Sequence, residues 1–267
     1  PQDKLMTLVG KIIQDPDTES LIAKYLKAGV MVKGKYEETT KGTPQGGIIS
    51  PTLANMCLNG VEAGLIAHLC ARFGKTKAAK LKVYVVRYAD DFVITGSSKD
   101  LLETEVRPWI ETFLAQRGLE LSPEKTKDTH IDDGFDFLGW NFRKYKGKLL
   151  IKPSKKNVKA FYSKVRDIVK THVSVKQEDL IAKLNPVLRG WAQYHQPVVA
   201  KETFSRMDNL IHWRIVRWAR RRHPNKSRPW CKSRYWQRAA ERDEFAATVK
   251  TAEGSIAVKL LKLADTE

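Results

Sequence analysis

The chain has 267 residues, of which 42% are hydrophobic and 9% aromatic, a composition that favours a folded protein and excludes a disordered one. Its net charge of +18 is concentrated between residues 140 and 240, where 26 Lys and Arg accompany 5 Asp and Glu, while residues 1–139 are nearly neutral. A basic block of this size predicts a polyanionic partner, and nucleic acid is the partner we expect.

The sequence carries no sign of secretion. No apolar run approaches the roughly 20 residues of a membrane span, and no signal segment opens the chain. The three cysteines are widely spaced and fit neither a disulfide framework nor a zinc site. We therefore expect a cytoplasmic protein of bacterial type or an organellar one, with no membrane partner. The chain begins at Pro1 rather than at Met, so we expect a fragment of a longer protein.

The first half of the chain predicts helices interrupted by one β-hairpin. The apolar spacing is helical in most of this half, whereas two short β-branched runs enclose five residues and indicate paired strands. A Ser-Pro pair opens the third helix, with Ser50 as its N-cap. The predicted elements are helices at 4–14, 20–28 and 50–65, strands at 83–86 and 92–95, and a helix from Ser98 to Gly118.

The second half predicts short strands and then a helical domain. Strands are predicted around 119–121, 135–142 and 148–152. After Pro153 the apolar residues form four helical stripes, and Asn185-Pro186 is expected to end the second of them. The stripes span residues 158–168, 180–184, 187–194 and 204–218. The fold class that these elements predict is α+β, with an antiparallel sheet followed by helices.

The sharpest chemical signal is the sequence Tyr88-Ala89-Asp90-Asp91 between the two predicted strands. Adjacent carboxylates at a tight turn repel one another unless a cation neutralises them. Hard oxygen ligands favour Mg²⁺, and a pair of such ions can promote phosphoryl transfer. The alternative is a solvated Asp-Asp turn, but the apolar strands on both sides favour the metal site.

A second signal is the glycine-rich stretch from Gly42 to Pro51, which contains Pro44, Gln45, Gly46 and Gly47. Glycines allow close approach of a ligand to the backbone, and the N-terminus of the helix that follows suits a phosphate. The Gln45 amide can donate and accept hydrogen bonds at a base pair. The alternative is an ordinary loop that enters a helix.

Together these motifs resemble the reverse transcriptases, and the group II intron-encoded branch in particular. G-T-P-Q-G-G-I-I-S-P resembles the template and nucleotide loop, Y-A-D-D the catalytic motif and L-S-P-E-K-T at 121–126 the block that follows it. F-D-F-L-G-W at 135–140 resembles the primer grip. L-N-P-V-L-R-G-W-A-Q-Y-H at 184–195 and R-W-A-R-R-R-H-P at 217–224 resemble the maturase-specific thumb.

The resemblance implies an RNA-directed DNA polymerase with two Mg²⁺ ions, held by Asp90 and Asp91. It implies that Lys125 acts on the incoming triphosphate or protonates the departing pyrophosphate. Template and nucleotide would lie against Pro44, Gln45, Gly46, Gly47, Tyr88 and Ala89, and the primer grip would be Phe137, Leu138, Gly139 and Trp140. The residues expected to contact RNA are Arg189, Trp191, Tyr194, Arg214, Arg217, Arg220, Arg221 and Arg222.

The expected architecture is part of a right-hand polymerase. It comprises a palm at 1–152, a helical thumb or maturase domain at 153–236 and the start of a C-terminal extension at 237–267. The fingers and the third metal-binding carboxylate are expected upstream of Pro1, which predicts that the isolated chain is inactive. The expected partners are structured intron RNA, an RNA template with a DNA primer, deoxynucleoside triphosphates, and target DNA bound through a missing C-terminal region.

Several alternatives remain open at this level. Lys125 could be a solvated lysine, Trp140 and Trp191 could be core aromatics, and Tyr194 and His195 could stack on bases or pack internally. Arg220–Arg222 could be a solvated face. The whole chain could serve as an RNA-binding splicing cofactor with little polymerase activity, as a reverse transcriptase of a defence or diversification system, or as a basic scaffold without enzymatic activity. The sequence contains no cluster of His and Asn of the kind that would indicate an endonuclease, and we predict none.

Overall fold

The structure, a computed structural model, divides the chain into two compact units, residues 1–128 and 129–267. Both units combine helices with small antiparallel sheets, so the predicted α+β class is confirmed. The predicted domain bounds at residues 152 and 236 concern functional modules and stay a prediction. The residues that the structure describes are 1–32, 34–39, 41–43, 47–239, 242–251 and 254–266.

The first unit consists of helices with two β-hairpins between them. Its helices are α1 (Gln2–Ile12), α2 (Pro16–Lys27), α3 (Ser50–Leu58), α4 (Val61–Phe73), α5 (Lys75–Lys80), α6 (Lys99–Leu101), a π-helical turn (Leu102–Val106) and α7 (Arg107–Gln116). Its hairpins are β1 (Val30–Val32) with β2 (Lys35–Glu37), and β3 (Tyr84–Tyr88) with β4 (Asp91–Thr95). Side chains of α1, α2 and α3 form one buried cluster, and α4, α7 and the second hairpin form another.

The predicted helix at 50–65 is two helices, and Ser50 is its first residue rather than its N-cap. Ile49 is the N-cap, and the helix ends where Asn59 becomes extended and Gly60 adopts a φ of 84°. A left-handed residue cannot continue a right-handed helix, and glycine adopts that conformation at little cost. The break separates the helices, so that Leu53 of α3 packs in the first cluster, whereas Leu58 at the end of α3 joins the side chains of α4 in the second.

The stretch Ser50–Phe73, taken as one segment, is apolar enough to cross a membrane by length and composition alone. The expectation that no run approaches that length is therefore wrong for this stretch. The finding is weak evidence for a membrane span, because core helices pass the same test. Here Gly60 interrupts the segment, and its buried residues, among them Leu53 and Leu65, face the two clusters of the unit.

No strand forms at 119–121, where one was predicted. The amide of Leu119 instead donates to the carbonyl of Leu114 at 2.9 Å, and the amide of Gly118 donates to that of Ala115 at 3.0 Å. With Gly118 at a φ of 70°, these bonds form a helix-terminating turn. The amide of Leu119 is thus used to close α7 and is not available to a strand ladder.

The second unit contains two three-stranded antiparallel sheets and four helices among its described residues. The first sheet has the order β5-β6-β7 and the second the order β10-β9-β8. The elements are β5 (Phe135–Phe137), β6 (Trp140–Tyr145), β7 (Lys148–Pro153), α8 (Lys155–Thr171), α9 (Gln177–His195), α10 (Lys201–Arg222), α11 (Arg228–Tyr235), β8 (Trp236–Ala239), β9 (Arg242–Thr251), β10 (Gly254–Lys259) and a 3₁₀ turn (Leu263–Asp265).

The predicted break at Asn185-Pro186 is wrong, because α9 continues through both residues. A proline inside a helix costs about 3 kcal/mol. Leu180, Leu184 and Leu188 are each fully buried on one stripe of this helix, and each stabilises a continuous helix by about 1.5–3 kcal/mol. Burial of the stripe therefore outweighs the penalty of Pro186.

The segment after residue 236 packs onto the helices of the second unit. Phe245 and Leu263 are buried in the same cluster as side chains of α8, α9 and α10. The side-chain amide of Asn185 bonds to the backbone of Lys259 and Leu261, each at 2.9 Å. The Asp208 carboxylate accepts from the amides of Leu263 and Ala264. Residues 242–251 and 254–266 thus belong to the packed second unit, and their assignment to the start of a C-terminal extension stays a prediction.

Candidate functional site

The two adjacent carboxylates lie at the tip of the second hairpin. β3 and β4 are joined by the two-residue turn Ala89–Asp90, and Asp91 opens β4 opposite Tyr88. Ala89 has a φ of 53°, a left-handed conformation that costs a residue with a side chain about 1–2 kcal/mol. All four residues of the Tyr-Ala-Asp-Asp motif are exposed. The hairpin thus presents both carboxylates to solvent on a strained turn.

One face of this hairpin is packed and the other is open. Val85 is buried, and its register partner Ile94 packs against the same cluster. On the opposite face Tyr84 and Tyr88 are 63% and 65% exposed. Because side chains alternate along a strand, Asp91 lies on this open face beside Tyr88. The packed face holds the hairpin on the unit and leaves the face with the Asp91 carboxylate accessible.

Arg87 connects the hairpin tip to helix α3. Its Nη1 donates to the carbonyl oxygen of Ala89 and to Oδ1 of Asn55, each at 2.9 Å. The first bond holds the backbone of the left-handed turn residue, and the second anchors the guanidinium to the helix. Sequence reasoning missed both residues. The only signal was a charged residue within an apolar strand run.

The chemistry of Asp90 and Asp91 suits a hard divalent cation. Neither carboxylate has a hydrogen bond or an ion pair with another described residue, so their oxygens are available to a ligand. Carboxylate oxygens are the donors that Mg²⁺ prefers, but Mg²⁺ needs about six ligands. Among the described residues no group of three or more His, Cys, Asp or Glu could hold a metal ion. Asp90 and Asp91 therefore fit Mg²⁺ as part of a ligand set that other groups complete.

Of the predicted residues in the glycine-rich loop, Gly47 is described by the structure, whereas Pro44, Gln45 and Gly46 lie outside the described residues. Gly47 lies against α2, and a Cβ added there would be 1.8 Å from the hydroxyl of Tyr25 and 2.8 Å from Oγ of Ser50. A residue with a side chain would therefore collide with Tyr25. Close packing against α2 is one reason for glycine at this position.

Lys125 lies in a turn after α7. The amides of Lys125 and Thr126 both donate to the carbonyl of Ser122, at 3.2 and 2.9 Å. The side chain is exposed, and its ammonium group has no hydrogen bond or ion pair with another described residue. It is accessible to an anionic ligand, and its role at the triphosphate stays a prediction.

The four predicted primer-grip residues form the tight turn of the hairpin between β5 and β6. Phe137 pairs with Trp140, and Leu138 and Gly139 have φ values of 48° and 81°, as in the type I′ turns that close two-residue hairpins. The carbonyl of Leu138 accepts from the hydroxyl of Tyr194, and that of Gly139 from the amide of Ser154. Both turn carbonyls are thus held from the helical part of the unit.

A buried polar network lies beneath this turn. Nε1 of Trp140 donates to Nδ1 of His195 at 2.9 Å, so the other ring nitrogen of His195 carries the proton and donates to Oδ1 of Asn157 at 3.0 Å. Nε1 of Trp191 donates to the same oxygen at 2.7 Å. His195 is fully buried, and burial lowers its pKa to about 4. Neutral His195 and Asn157 therefore join the turn to α8 and α9.

The aromatic residues predicted to contact RNA are engaged within the protein. The ring of Trp191 stacks on Phe161 with centroids 4.0 Å apart. Tyr194 stacks on Trp140 with centroids 5.2 Å apart, although the tyrosine remains 46% exposed. Packing is thus what the structure shows for Trp191, His195 and much of Tyr194, while contact with RNA stays a prediction.

The predicted arginines fall into two groups. Nε of Arg214 donates to the hydroxyl of Tyr162 at 2.8 Å, and Arg222 donates to the carbonyl of Val173 at 2.8 Å and to the hydroxyl of Tyr235 at 3.1 Å. These two guanidinium groups connect α10 to other parts of the second unit. The members of the second group are exposed and have no hydrogen bond or ion pair with a described residue: Arg189, Arg217, Arg220 and Arg221.

Two family models match the chain. The model described as reverse transcriptase (RNA-dependent DNA polymerase) matches residues 5–142, which is just over half of the chain. The model described as group II intron, maturase-specific domain matches residues 158–236. The first match includes the carboxylate hairpin and the tight turn, and the second covers the helices with the basic side chains.

Curated relatives agree with these matches. Protein YkfC of Escherichia coli is 32% identical over 51% of this chain and 41% of its own length. Group II intron-encoded protein LtrA of Lactococcus lactis is 31% identical over 52% of this chain and 32% of its own length. Maturase-like protein 1 of Euglena gracilis is 30% identical over 55% and 28%. The matches span less than half the length of each relative, and with the family matches they show that the chain belongs to the reverse transcriptases of the group II intron-encoded type, with a maturase-specific domain.

Proposed function

We propose that the chain carries part of the active site of an RNA-directed DNA polymerase encoded by a group II intron. The observation that carries the proposal is the pair Asp90 and Asp91 at the tip of a packed hairpin, where both side chains are exposed and neither has a hydrogen bond or ion pair with another described residue. Two adjacent carboxylates repel one another, and a bound cation relieves that repulsion. Their position in a chain of the reverse transcriptase family supports nucleotidyl transfer as the chemistry.

In the proposed reaction the 3′-hydroxyl group of a primer loses its proton to water, and its oxygen bonds to the α-phosphorus of a deoxynucleoside triphosphate. The bond from that phosphorus to the bridging oxygen breaks, and pyrophosphate leaves. Asp90 and Asp91 would hold two Mg²⁺ ions together with ligands from elsewhere. When bound, Mg²⁺ lowers the pKa of the attacking hydroxyl and neutralises charge on the leaving oxygen. The protein contributes mainly by positioning and by charge stabilisation.

Other residues supply the proposed substrate contacts. Lys125, whose ammonium group is accessible, would stabilise or protonate the departing pyrophosphate. The loop that contains Gln45 and Gly47 would support the template–nucleotide pair, and the Phe137–Trp140 turn would place the primer end. In this proposal residues 1–152 act as the palm and residues 153–236 as the thumb.

The proposal includes a second role, the binding of structured intron RNA during splicing. It is supported by the match to the maturase-specific domain at 158–236 and by the basic balance of residues 140–240. The alternative is a splicing cofactor with little polymerase activity. The intact pair of carboxylates, Asp90 and Asp91, disfavours this alternative. A reverse transcriptase outside introns is disfavoured by the maturase match. Target DNA is a further proposed partner.

The test is primer extension on an RNA template, with this chain and with the natural gene product that contains it. We expect the natural gene product to synthesise DNA in the presence of Mg²⁺. The length of the DNA should follow the length of the template, and a chelator should abolish the synthesis. RNA binding without any extension by the folded natural product would overturn the polymerase proposal and leave the splicing-cofactor alternative.

A further inference from the structure

Helix α10 exposes a stripe of arginines with one aromatic residue in the middle. The stripe consists of Arg206, Leu210, Trp213, Arg217 and Arg220, all exposed and spaced by three or four residues. At 3.6 residues per turn these side chains lie on one face of the helix and extend over about 20 Å. We call this face the Trp213 stripe. Only Arg217 and Arg220 were among the residues predicted to contact RNA.

Trp213 differs from the other tryptophans of the chain. It is 54% exposed, and the next most exposed tryptophan, Trp230, is 36% exposed. Trp230 contacts the ring of His223 and the ammonium of Lys226. The only ring contact of Trp213 with a described residue is an edge contact with its neighbour His212. A large aromatic surface is thus open to solvent and free to stack on a ligand.

The arginine side chains beside Trp213 also have no bonding partner among the described residues. Arg206, Arg217 and Arg220 have no hydrogen bond or ion pair with any described residue. By contrast Arg214, one residue away in sequence, is held by Tyr162. From Arg206 to Arg220 the stripe contains no carboxylate, because Asp208 lies elsewhere on the helix and bonds to the 263–264 backbone. Between Arg206 and Arg220 the stripe therefore carries positive charge without an acid, and the nearest carboxylate on this face of the helix is that of Glu202, one turn before Arg206.

We propose that the Trp213 stripe binds an unpaired RNA segment, with one base stacked on Trp213 and the flanking phosphates on Arg206, Arg217 and Arg220. Stacking of bases on aromatic side chains along a cationic track is the usual way in which proteins hold single strands. A second copy of the chain is disfavoured as the occupant, because two such stripes would repel one another. A duplex hides its base faces and would leave the indole unused. The inference rests on the RNA-binding role proposed above and adds its residues and its strand preference.

The test compares binding of the chain to a short oligouridylate and to an RNA duplex of equal length, over a range of salt concentrations. The variants are Trp213→Ala, Trp213→Phe and Arg217→Gln, with Trp230→Ala as the matched control. Thermal unfolding of each variant establishes that it is folded. Because Trp213 and Arg217 are exposed, we expect little change in stability.

We expect Trp213→Ala to weaken binding of the single strand roughly 5- to 100-fold, with the duplex affinity and the salt dependence unchanged. Trp213→Phe keeps an aromatic face and should retain most of the affinity. Arg217→Gln should lower the slope of log affinity against log salt by about 0.7 for the single strand. Trp230→Ala should leave the single-strand preference intact.

Two results would overturn the inference alone: an unchanged affinity of Trp213→Ala for oligouridylate, or an equal loss for single strand and duplex. The absence of RNA binding by the unaltered chain would overturn the proposed RNA-binding role together with the inference. The two failures are therefore distinguishable.

Discussion

The indole nitrogen of Trp140 donates a hydrogen bond to Nδ1 of the buried His195 at 2.9 Å. This bond requires a neutral imidazole, because a protonated ring has no free acceptor on Nδ1. It joins the tight turn at 137–140 to the end of α9, and Asn157 extends the connection to α8. The turn and these two helices are thus parts of one hydrogen-bonded assembly.

Acid is expected to destabilise this assembly. The pKa of His195 is lowered from 6.5 to about 4 by burial. Below pH 6.5 the His195 imidazole therefore becomes protonated in the unfolded chain, whereas in the folded chain it stays neutral down to about pH 4. The contribution of neutral His195 to the free energy of unfolding is fully present above pH 6.5. That free energy declines by roughly 3 kcal/mol as the pH falls to 4. Urea unfolding at pH 7 and pH 5 measures it.

The matched variant for this measurement is His195→Gln, which has no titrating ring. The loss of stability between pH 7 and pH 5 should be smaller in the variant by about 2 kcal/mol. An equal loss in both proteins would show that His195 titrates normally in the folded state.

Arg87 is expected to act as a positioning residue for the two carboxylates. Arg87→Ala removes the bond to the carbonyl of Ala89 and frees the strained turn, so we expect polymerase kcat to fall roughly 10- to 100-fold with little change in the KM for nucleotide. Asn55→Ala removes only the anchor on α3 and should have a smaller effect in the same direction. Single-turnover primer extension measures both.

A merely structural role of Arg87 would give a different result. The thermal midpoint would then fall in parallel with activity, and kcat would recover on cooling. We expect instead that Arg87→Ala keeps its thermal midpoint within a few degrees, because an exposed hydrogen bond contributes only about 1 kcal/mol.

Gly47→Ala is expected to destabilise the first unit by about 1–3 kcal/mol, because the new Cβ would lie 1.8 Å from the Tyr25 hydroxyl. Tyr25→Phe removes that hydroxyl, which is buried without a hydrogen-bond partner among the described residues, so this change alone should be neutral or stabilising. The double variant should recover part of the loss in chemical denaturation. Strict additivity of the two changes would contradict the proposed collision.

The side chains that hold the C-terminal segment should matter to stability. Asn185→Ala and Asp208→Ala each leave two backbone groups of residues 259–264 without partners, and we expect a loss of about 1–3 kcal/mol for either. Asn209→Ala, an exposed neighbour of Asp208 on α10, is the control and should change little. Hydrogen exchange of the Leu261 and Leu263 amides should accelerate in the first two variants and stay slow in the third. Unchanged exchange in Asp208→Ala would contradict this account of the segment.

The sequence predicted those features that depend on local pattern. The hairpin that carries Asp90 and Asp91 followed from two β-branched runs and the short connection between them. The bond from Arg87 to Asn55 spans 32 residues of chain and depends on where α3 packs, so no local pattern indicated it.

The errors have the same physical origin. Local propensity placed a helix end at Pro186, but burial of the leucine stripe across it outweighed the proline penalty. The internal contacts of Trp191 and His195 also lay beyond any local pattern, because their partners Phe161 and Asn157 are more than 25 residues away in sequence. Contact of Trp191 with RNA stays a prediction.

The most direct test of the central claim is to measure two properties of one variant of the natural gene product, Asp90→Asn with Asp91→Asn. Removal of both charges should abolish Mg²⁺-dependent primer extension on RNA, because the ions lose their ligands, and should leave the affinity for structured RNA within about twofold, because the basic helices are untouched. Extension by the double variant at the rate of the unaltered protein would contradict the assignment of these carboxylates as the catalytic metal ligands.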